Sequence, residues 1–260
     1  MKPATDMQPD TDNHIEIADL TLSYGDFLIQ QNLNFNVRRG EVFVVMGGSG
    51  CGKTTVLRSI IGLKSPGKGQ IRIDGNSIWD VEDEKRNELK RNMGVLFQQG
   101  ALWSSMTLAE NIALALQMYT DIPDKDIREI CSLKLALVGL AGFEDFYPNE
   151  ISGGMRKRAG LARAMALDPD ILCFDEPSAG LDPISSKLLD DLILELRDSL
   201  GTTVIVVTHE LASIFAIADN SVFLDPDTKT QLATGNPKTL RDECDNFEVR
   251  NFLARGEARE

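Results

Sequence analysis

The feature that most constrains the fold is a glycine-rich segment between a predicted strand and a predicted helix. The apolar run Val42–Met46 comes first, and a helical pattern covers Thr55–Leu63. Between them stand eight residues: Gly47, Gly48, Ser49, Gly50, Cys51, Gly52, Lys53 and Thr54. This order matches G-x-x-x-x-G-K-[ST] in the strand–loop–helix context that the pattern requires. The sequence therefore predicts a phosphate-binding loop in an α/β protein.

The residue types in this loop suit the phosphates of a nucleotide. Glycines let the backbone curl and point successive N–H groups at phosphate oxygens, and the following helix adds its positive amino-terminal end. Lys53 would reach the β- and γ-phosphates, and the hydroxyl of Thr54 would bind Mg²⁺. The predicted ATP-binding segment runs from Gly47 to Thr55, with Cys51 as a tolerated small residue.

Two acidic residues that follow a second apolar run, Ile171–Phe174, supply the other half of the predicted site. Asp175 suits the shell of Mg²⁺, through water, because this ion retains part of its hydration. Glu176 suits a general base or a group that orients water. Two acids after a strand can also form a solvated turn, but beside a phosphate-binding loop the catalytic interpretation is favoured.

A third motif, Ile151-Ser152-Gly153-Gly154-Met155, resembles the LSGGQ signature of ABC ATPases. The order of motifs fits that family from about residue 14 to residue 235. The resemblance implies that Tyr24 stacks on adenine and that His209 contacts the γ-phosphate as the switch histidine. It also implies that Gln98 touches Mg²⁺ and the attacking water, with Gln99 as the alternative if the register is wrong by one residue. The implied catalytic residues are Glu176, His209 and Gln98, and the implied metal-binding residues are Thr54, Gln98 and Asp175.

The signature implies a second copy of the chain. Ser152, Gly153 and Gly154 form another anion-binding turn at a helix amino terminus. In this family the signature of one subunit closes on ATP held by the other, so Ser152 to Met155 would bind ATP in trans in a homodimer. Asp182 would lie in the D-loop across that interface. Met155 replaces the glutamine that is commoner in the signature.

The expected fold is a P-loop NTPase core with a mainly parallel sheet, a flanking antiparallel β subdomain and an inserted helical subdomain. Alternating strands and nearly all-apolar strands indicate the two kinds of sheet. The alternating strands are His14–Tyr24, Phe27–Val37 and Gln70–Asp74, and the apolar ones are Val42–Met46, Gly94–Phe97, Ile171–Phe174 and Thr203–Val207. A helix is predicted from Asp182 to Leu200, with a buried stripe of Leu189, Leu192, Leu196 and Leu200.

The predicted organisation is a flexible amino terminus (1–13), one ABC ATPase domain (14–240) and a carboxyl-terminal extension (241–260). The helical subdomain covers about residues 100–168. In the extension, Phe252 and Leu253 would either contact a neighbouring subunit or belong to a frayed end.

Charge and hydropathy exclude several classes of partner. A net charge of −13 without a Lys/Arg stripe argues against nucleic acid. Apolar runs such as Ile112–Met118 are too short to span a membrane. Four scattered cysteines show no metal-binding or disulfide pattern. We therefore expect a chain that is soluble by itself, and the resemblance to ABC ATPases implies that an integral permease holds it at the cytoplasmic face of the inner membrane.

A narrower resemblance concerns the ATPases of Mla-type (MCE) lipid transporters. It rests on Met155, on Gly100–Thr107 and on Val249–Leu253. It implies phospholipid as cargo, a permease, an MCE-type substrate-binding subunit and a small accessory subunit. The apolar segment Gly100–Tyr119, which includes Trp103, is the expected permease contact or else ordinary subdomain core. Two alternatives stay open: a transporter for an amino acid, ion or drug-like cargo, and a non-transport ABC ATPase.

Overall fold

The structure is a computed structural model that describes residues 12–255. In it the alternating strands and the apolar strands form two separate sheets. The strands in this range are β1 (Asn13–Tyr24), β2 (Phe27–Arg38), β3 (Val42–Gly47), β4 (Lys68–Ile73), β5 (Asn76–Ser77), β6 (Met93–Leu96), β7 (Ile171–Asp175), β8 (Thr203–Val207), β9 (Asn220–Leu224) and β10 (Gln231–Gly235). The helices are α1 (Lys53–Ile60), α2 (Asp83–Arg91), α3 (Leu108–Tyr119), α4 (Asp124–Leu137), α5 (Gly153–Ala164), α6 (Pro183–Leu200), α7 (Leu211–Ile217), α8 (Pro237–Glu243) and α9 (Phe247–Ala254).

The alternating strands form an antiparallel sheet in the order β2-β1-β4-β5. Ile15, Ile17, Leu20 and Leu22 of β1 are buried in one cluster with residues of β2 and β4. The alternation breaks at Asp19, which has a left-handed backbone (φ 49°), so that Leu20 faces the core three residues after Ile17. The predicted flanking antiparallel sheet is confirmed.

The apolar strands form the central sheet, in the order β10-β9-β3-β8-β7-β6. All pairs in it are parallel except β9 with β10 at one edge. Every residue of β3, β7 and β8 is buried, as expected for strands that are covered on both faces. The predicted P-loop core with a mainly parallel sheet is confirmed.

Helices alone occupy the region between β6 and β7. Helix α3 begins with a capping box, in which Thr107 and Glu110 each accept a hydrogen bond from the other's backbone N–H. Ile112 and Leu116 of α3 pack in one buried cluster with Cys131 and Leu135 of α4. A short 3₁₀ turn and α5 complete the segment. The helical interpretation of this region is confirmed.

Helix α6, with 18 residues, begins as predicted at the N-cap Asp182, whose carboxylate accepts bonds from two backbone N–H groups. Leu189, Leu192 and Leu196 are buried, but Leu200 is 61 % exposed. The prediction that Leu200 belongs to the buried stripe is wrong, because the helix ends there at Gly201 and the side chain lies at the protein surface. No helix within residues 12–255 is both long and apolar enough to cross a membrane.

The described part of the carboxyl-terminal extension packs on the chain itself. Leu253 is fully buried in the main core, and Phe252 meets Phe223 edge to face with ring centroids 5.1 Å apart. The frayed-end alternative is therefore wrong for Leu253, whereas a contact of the extension with a neighbouring subunit stays a prediction. At the other end, Asp12 lies in a turn and Asn13 already belongs to β1, while residues 1–11 and 256–260 lie outside the described residues.

The close packing of β6 on α5 yields a stability prediction. A Cβ on Gly94 would lie 2.2 Å from the carbonyl oxygen of Ala164, whereas a Cβ on Gly67 would lie 3.6 Å from the carbonyl oxygen of Thr21. We expect Gly94→Ala to lower the free energy of unfolding in urea by about 1–3 kcal/mol, because backbone must move. Gly67→Ala serves as the control with little effect; equal stabilities of the two variants would contradict this packing.

Candidate active site

The phosphate-binding loop leaves β3 as a tight turn in which glycine is required at two places. A Cβ on Gly47 would lie 2.2 Å from the carbonyl oxygen of Leu224, and Gly52 has a left-handed backbone (φ 93°) immediately before α1. Lys53 folds back over the loop, and its ammonium donates to the carbonyl oxygens of Gly47 and Gly48, both at 3.0 Å. The loop thus places a positive charge beside its own concave face.

An open pocket of about 460 Å³ lies against this loop. Its walls come from the loop, from β2 and from the ends of three parallel strands. The lining residues are Ile29, Ser49, Gly50, Gly52, Lys53, Thr54, Thr55, Gln98, Glu176 and His209. The structure therefore brings together residues that the sequence assigned to one site from four distant segments. Gln98 lines the pocket and Gln99 is not among its lining residues, so the geometry favours Gln98.

Thr54 and Asp175 meet at the base of the pocket. The Thr54 hydroxyl donates to Asp175 Oδ1 at 2.8 Å. Burial raises the pKa of the Asp175 carboxyl, and the hydrogen bond from Thr54 opposes that shift. A hydroxyl, a carboxylate and the nearby Gln98 amide are oxygen donors of the kind that Mg²⁺ prefers. No cluster of three His, Cys, Asp or Glu residues able to hold a metal occurs in residues 12–255.

Glu176 and His209 form the opposite wall. His209 Nδ1 lies 2.8 Å from Glu176 Oε1, while Glu176 Oε2 is buried and has no hydrogen-bond partner within the described chain. The backbone of Glu176 is left-handed (φ 49°), and its N–H donates to the carbonyl oxygen of Val207 at 2.8 Å. This conformation turns the carboxylate toward the pocket immediately after β7 ends.

Tyr24 lies apart from these residues. It is the last residue of β1 and is 48 % exposed. The ammonium of Lys64 lies over its ring, 5.0 Å from the centroid. It is not among the residues that line the pocket. An exposed aromatic face is available for stacking, and adenine binding by Tyr24 stays a prediction.

The signature residues also lie outside the pocket. Ser152 caps α5 by accepting a hydrogen bond from the Met155 N–H at 3.2 Å, and both Ser152 and Gly153 are exposed. The side chain of Met155 packs against the core. Asp182 is occupied as the N-cap of α6, and the hydrogen bond from the Ser185 hydroxyl lowers the pKa of its carboxyl. The amino terminus of α5 is thus exposed and separate from the residues that line the pocket.

One residue that supports the site was not predicted. Gln30 of β2 is fully buried, and its Nε2 donates to the carbonyl oxygens of Cys51 at 2.7 Å and of Asp225 at 2.9 Å. It ties the phosphate-binding loop to the turn after β9. The only signal in the sequence is an amide at an inward position of an alternating strand, which carries no indication of its partners.

Comparison with known proteins decides the family. The sequence model of the family described as "ABC transporter" matches residues 30–179. The chain belongs to this ABC transporter family. It is 41 % identical over 241 residues to the "Intermembrane phospholipid transport system ATP-binding protein MlaF" of Haemophilus influenzae (strain ATCC 51907 / DSM 11121 / KW20 / Rd), which covers 93 % of this chain and 90 % of that protein. The predicted membership of the ABC ATPases and the likeness to Mla-type ATPases are confirmed.

Two further relatives define how far the likeness extends. The chain is 42 % identical over 239 residues to the "Probable ribonucleotide transport ATP-binding protein mkl" of Mycobacterium tuberculosis (strain ATCC 25618 / H37Rv), covering 92 % of this chain but 66 % of that protein. The chain also resembles a solved structure, the ATP-binding cassette MJ0796 as a dimer in a post-hydrolysis state with ADP and Pi bound. The two superpose with a TM-score of 0.77 at 28 % sequence identity, over 85 % of this chain and 98 % of that one. The ABC cassette described here is an ATP-binding and ATP-hydrolysing protein.

The buried amide of Gln30 gives a prediction for the ABC cassette. Gln30→Met removes the donor to two buried carbonyls, so we expect the free energy of unfolding to fall by about 1–3 kcal/mol and nucleotide affinity to weaken. Urea denaturation and nucleotide titration measure the two effects. Gln31→Met, at a half-buried neighbour that makes neither bond, is the control; a Gln30→Met protein as stable as this control would contradict the role of the amide.

Proposed function

We propose that this chain is the ATPase subunit that energises a phospholipid transporter, acting as a homodimer on the cytoplasmic side of a membrane permease. The observation that carries the proposal is the convergence of Lys53, the Thr54–Asp175 pair and the Glu176–His209 pair on one pocket of an ABC cassette. The assignment of roles to these residues, the metal ion, the partners and the cargo are all part of the proposal.

The catalytic roles follow from the positions of charge. The backbone N–H groups of the loop and the ammonium of Lys53 bind the β- and γ-phosphates. Thr54, Asp175 and Gln98 would hold Mg²⁺, which neutralises charge on the phosphates when it is bound. Glu176 orients the attacking water and accepts its proton through Oε2, the oxygen that lacks a partner. His209 holds the other oxygen of Glu176 and faces the pocket, where it can reach the γ-phosphate.

The dimer is supported by the signature and by the related cassette. The amino terminus of α5 presents Ser152 and Gly153 to the outside, which suits an anion held by another molecule. Helix α6, which begins at Asp182 beside the signature, exposes Ile184 and Leu188 at 75 % and 54 %. The similar cassette MJ0796 is dimeric with ADP and Pi bound. In the proposed homodimer, each signature from Ser152 to Met155 closes on ATP in the other copy, and the D-loop Asp182 lies at the interface.

A groove on the helical subdomain supports a permease contact. Trp103, Met118 and Tyr119 are 59 %, 63 % and 47 % exposed and line a depression of about 280 Å³. The side chain of Asn111 holds the loop that carries Trp103. Its amide oxygen accepts a hydrogen bond from the Trp103 N–H at 2.7 Å, and its amide nitrogen donates to the carbonyl oxygens of Trp103, Met106 and Thr107. A mostly apolar groove beside a loop held in place suits a helix of an integral membrane subunit, which would hold the chain at the inner membrane.

The cargo is proposed from the relatives. The likeness to the MlaF protein extends over 90 % of that protein, whereas the chain covers only 66 % of the mkl protein. Phospholipid is therefore the first candidate, with an MCE-type substrate-binding subunit and a small accessory subunit as further partners. Another cargo is the alternative, because the mkl protein carries a ribonucleotide-transport name at similar identity.

The proposed general base gives a kinetic prediction. We expect Glu176→Gln to bind ATP but to lower kcat by about 10²–10⁴-fold, because the amide cannot accept the proton of the attacking water. Steady-state ATPase assays measure turnover, and light scattering with ATP measures accumulation of the closed dimer. Glu195→Gln, a change at an exposed residue of α6, is the control. Near-normal turnover of Glu176→Gln would refute the base role.

The permease groove gives a second prediction. We expect Trp103→Ala to retain ATP affinity and the ATPase activity of the isolated chain but to lose the co-purifying permease, because the side chain is exposed and lies outside the nucleotide pocket. Pull-down from solubilised membranes measures the association. Leu63→Ala, at a residue of equal exposure (60 %) elsewhere, should keep the permease. An intact complex with Trp103→Ala would remove this groove from consideration.

The cargo is tested by native purification of the Glu176→Gln protein from membranes in the presence of ATP, followed by mass spectrometry of proteins and lipids. A permease with an MCE-type subunit and bound phospholipid is the expected result. A permease without enriched phospholipid would replace the cargo while keeping the transporter ATPase. Ribosomal or DNA-repair proteins in place of a permease would overturn the transport function.

A further inference from the structure

A buried lysine outside the nucleotide pocket connects the signature helix to the turn that carries Glu176. Lys157 lies on α5, five residues after the cap Ser152, and is only 7 % exposed. Its ammonium donates to three backbone carbonyl oxygens, those of Pro177 at 2.5 Å, Ala179 at 2.7 Å and Glu176 at 3.3 Å. All three donors of the ammonium therefore point at one short turn.

This turn determines where the carboxylate of Glu176 lies. Its first residue, Glu176, is left-handed, and a bond from the Ala179 N–H to the Glu176 carbonyl oxygen at 3.2 Å closes it. Ser178 of this turn is buried, and its hydroxyl has no hydrogen-bond partner among the described residues. A left-handed backbone at a non-glycine residue is strained, so surrounding contacts must hold it.

Neutral backbone carbonyl oxygens accept the three hydrogen bonds that the Lys157 ammonium makes to this turn, so the turn solvates the charge. Burial lowers the pKa of Lys157, and the negative charge of Glu176 raises it. Hydrogen bonds from a charged donor are stronger than neutral ones, so three of them in a buried place hold the turn firmly.

We infer that Lys157 is a positioning residue for hydrolysis: it holds the turn from Glu176 to Ala179 so that the carboxylate of Glu176 faces the pocket. Lys157 lies on the helix that Ser152 caps. It therefore also connects the signature, which acts on ATP of the other copy, to the proposed general base Glu176 of its own chain. This inference rests on the proposed roles of Glu176 and of the signature. It predicts that Lys157 acts on turnover rather than on ATP affinity.

The first test uses steady-state ATPase kinetics of the full chain. Lys157→Met keeps the length of the side chain and removes every donor, so we expect kcat to fall by about tenfold or more while KM for ATP changes by less than about twofold. Lys157→Gln, whose amide can donate to two of the carbonyls, should retain more turnover than Lys157→Met. Lys134→Met is the matched control, since Lys134 is equally buried (5 %) but pairs with Asp168 away from the pocket.

Unchanged kcat in Lys157→Met, or a loss of ATP affinity without a loss of kcat, overturns the inference. If Lys157→Met does not fold, Lys157→Gln decides, and wild-type kcat in that variant has the same consequence. A fall in kcat as large in the Lys134→Met control would show general destabilisation and would also overturn it.

A double-mutant cycle separates this inference from the proposed function. If Lys157 acts through Glu176, Lys157→Met should cause no further loss of residual turnover in the Glu176→Gln background, whereas independent sites would give additive free energies. An additive loss overturns the role of Lys157 and leaves the base role of Glu176 intact. Near-normal turnover in Glu176→Gln alone overturns the proposed base, whatever the effect of Lys157.

Discussion

The parallel pairing of β3, β8 and β7 is the constraint on which the site depends. In this register Val45 is paired with Val207, and Val207 is paired with Asp175, so β7 and β8 end at the same level and β3 extends to Gly47 beside them. Because parallel strands share one carboxyl edge, their following loops must emerge side by side. The contacts from Thr54 to Asp175 and from His209 to Glu176 are consequences of that register. A slip of one residue would turn every side chain of a strand to the opposite face and separate these groups.

The sequence predicted those parts of the site that short motifs determine. The glycine loop, the two acids after β7 and the distinction between alternating and apolar strands follow from residue type and local spacing, and the structure confirms the fold built from them. The prediction failed or was silent where a residue's role depends on distant backbone. Gln30 and Lys157 donate to carbonyls of remote turns, and any residue type can supply a carbonyl. Leu200 followed the helical period, but where the helix passes beyond the core depends on tertiary packing.

The division of the ATP-related residues into two surfaces explains why one chain carries two anion-binding turns. The loop after β3 opens into a pocket that also contains Glu176 and His209. The turn capped by Ser152 is exposed and does not line that pocket. A helix amino terminus attracts an anion only over about its first turn. In the proposed homodimer, a second copy would bring the negative charge of its nucleotide to this turn, which would give ATP a physical means of closing the dimer.

Lys53 and Lys157 are equally buried, with 7 % exposure each, but only Lys53 lines the nucleotide pocket. Lys53 and Lys157 both satisfy their ammonium groups with backbone carbonyls of a tight turn. Lys53 also lines the open pocket, so a phosphate anion there can replace the neutral carbonyl oxygens as its hydrogen-bond acceptor. This exchange is favourable because a hydrogen bond between charged groups is stronger. Lys157 does not line that pocket, and its ammonium donates to the turn from Glu176 to Ala179. In the proposed mechanism the same ammonium chemistry thus serves ligand binding at one position and positioning of a turn at the other.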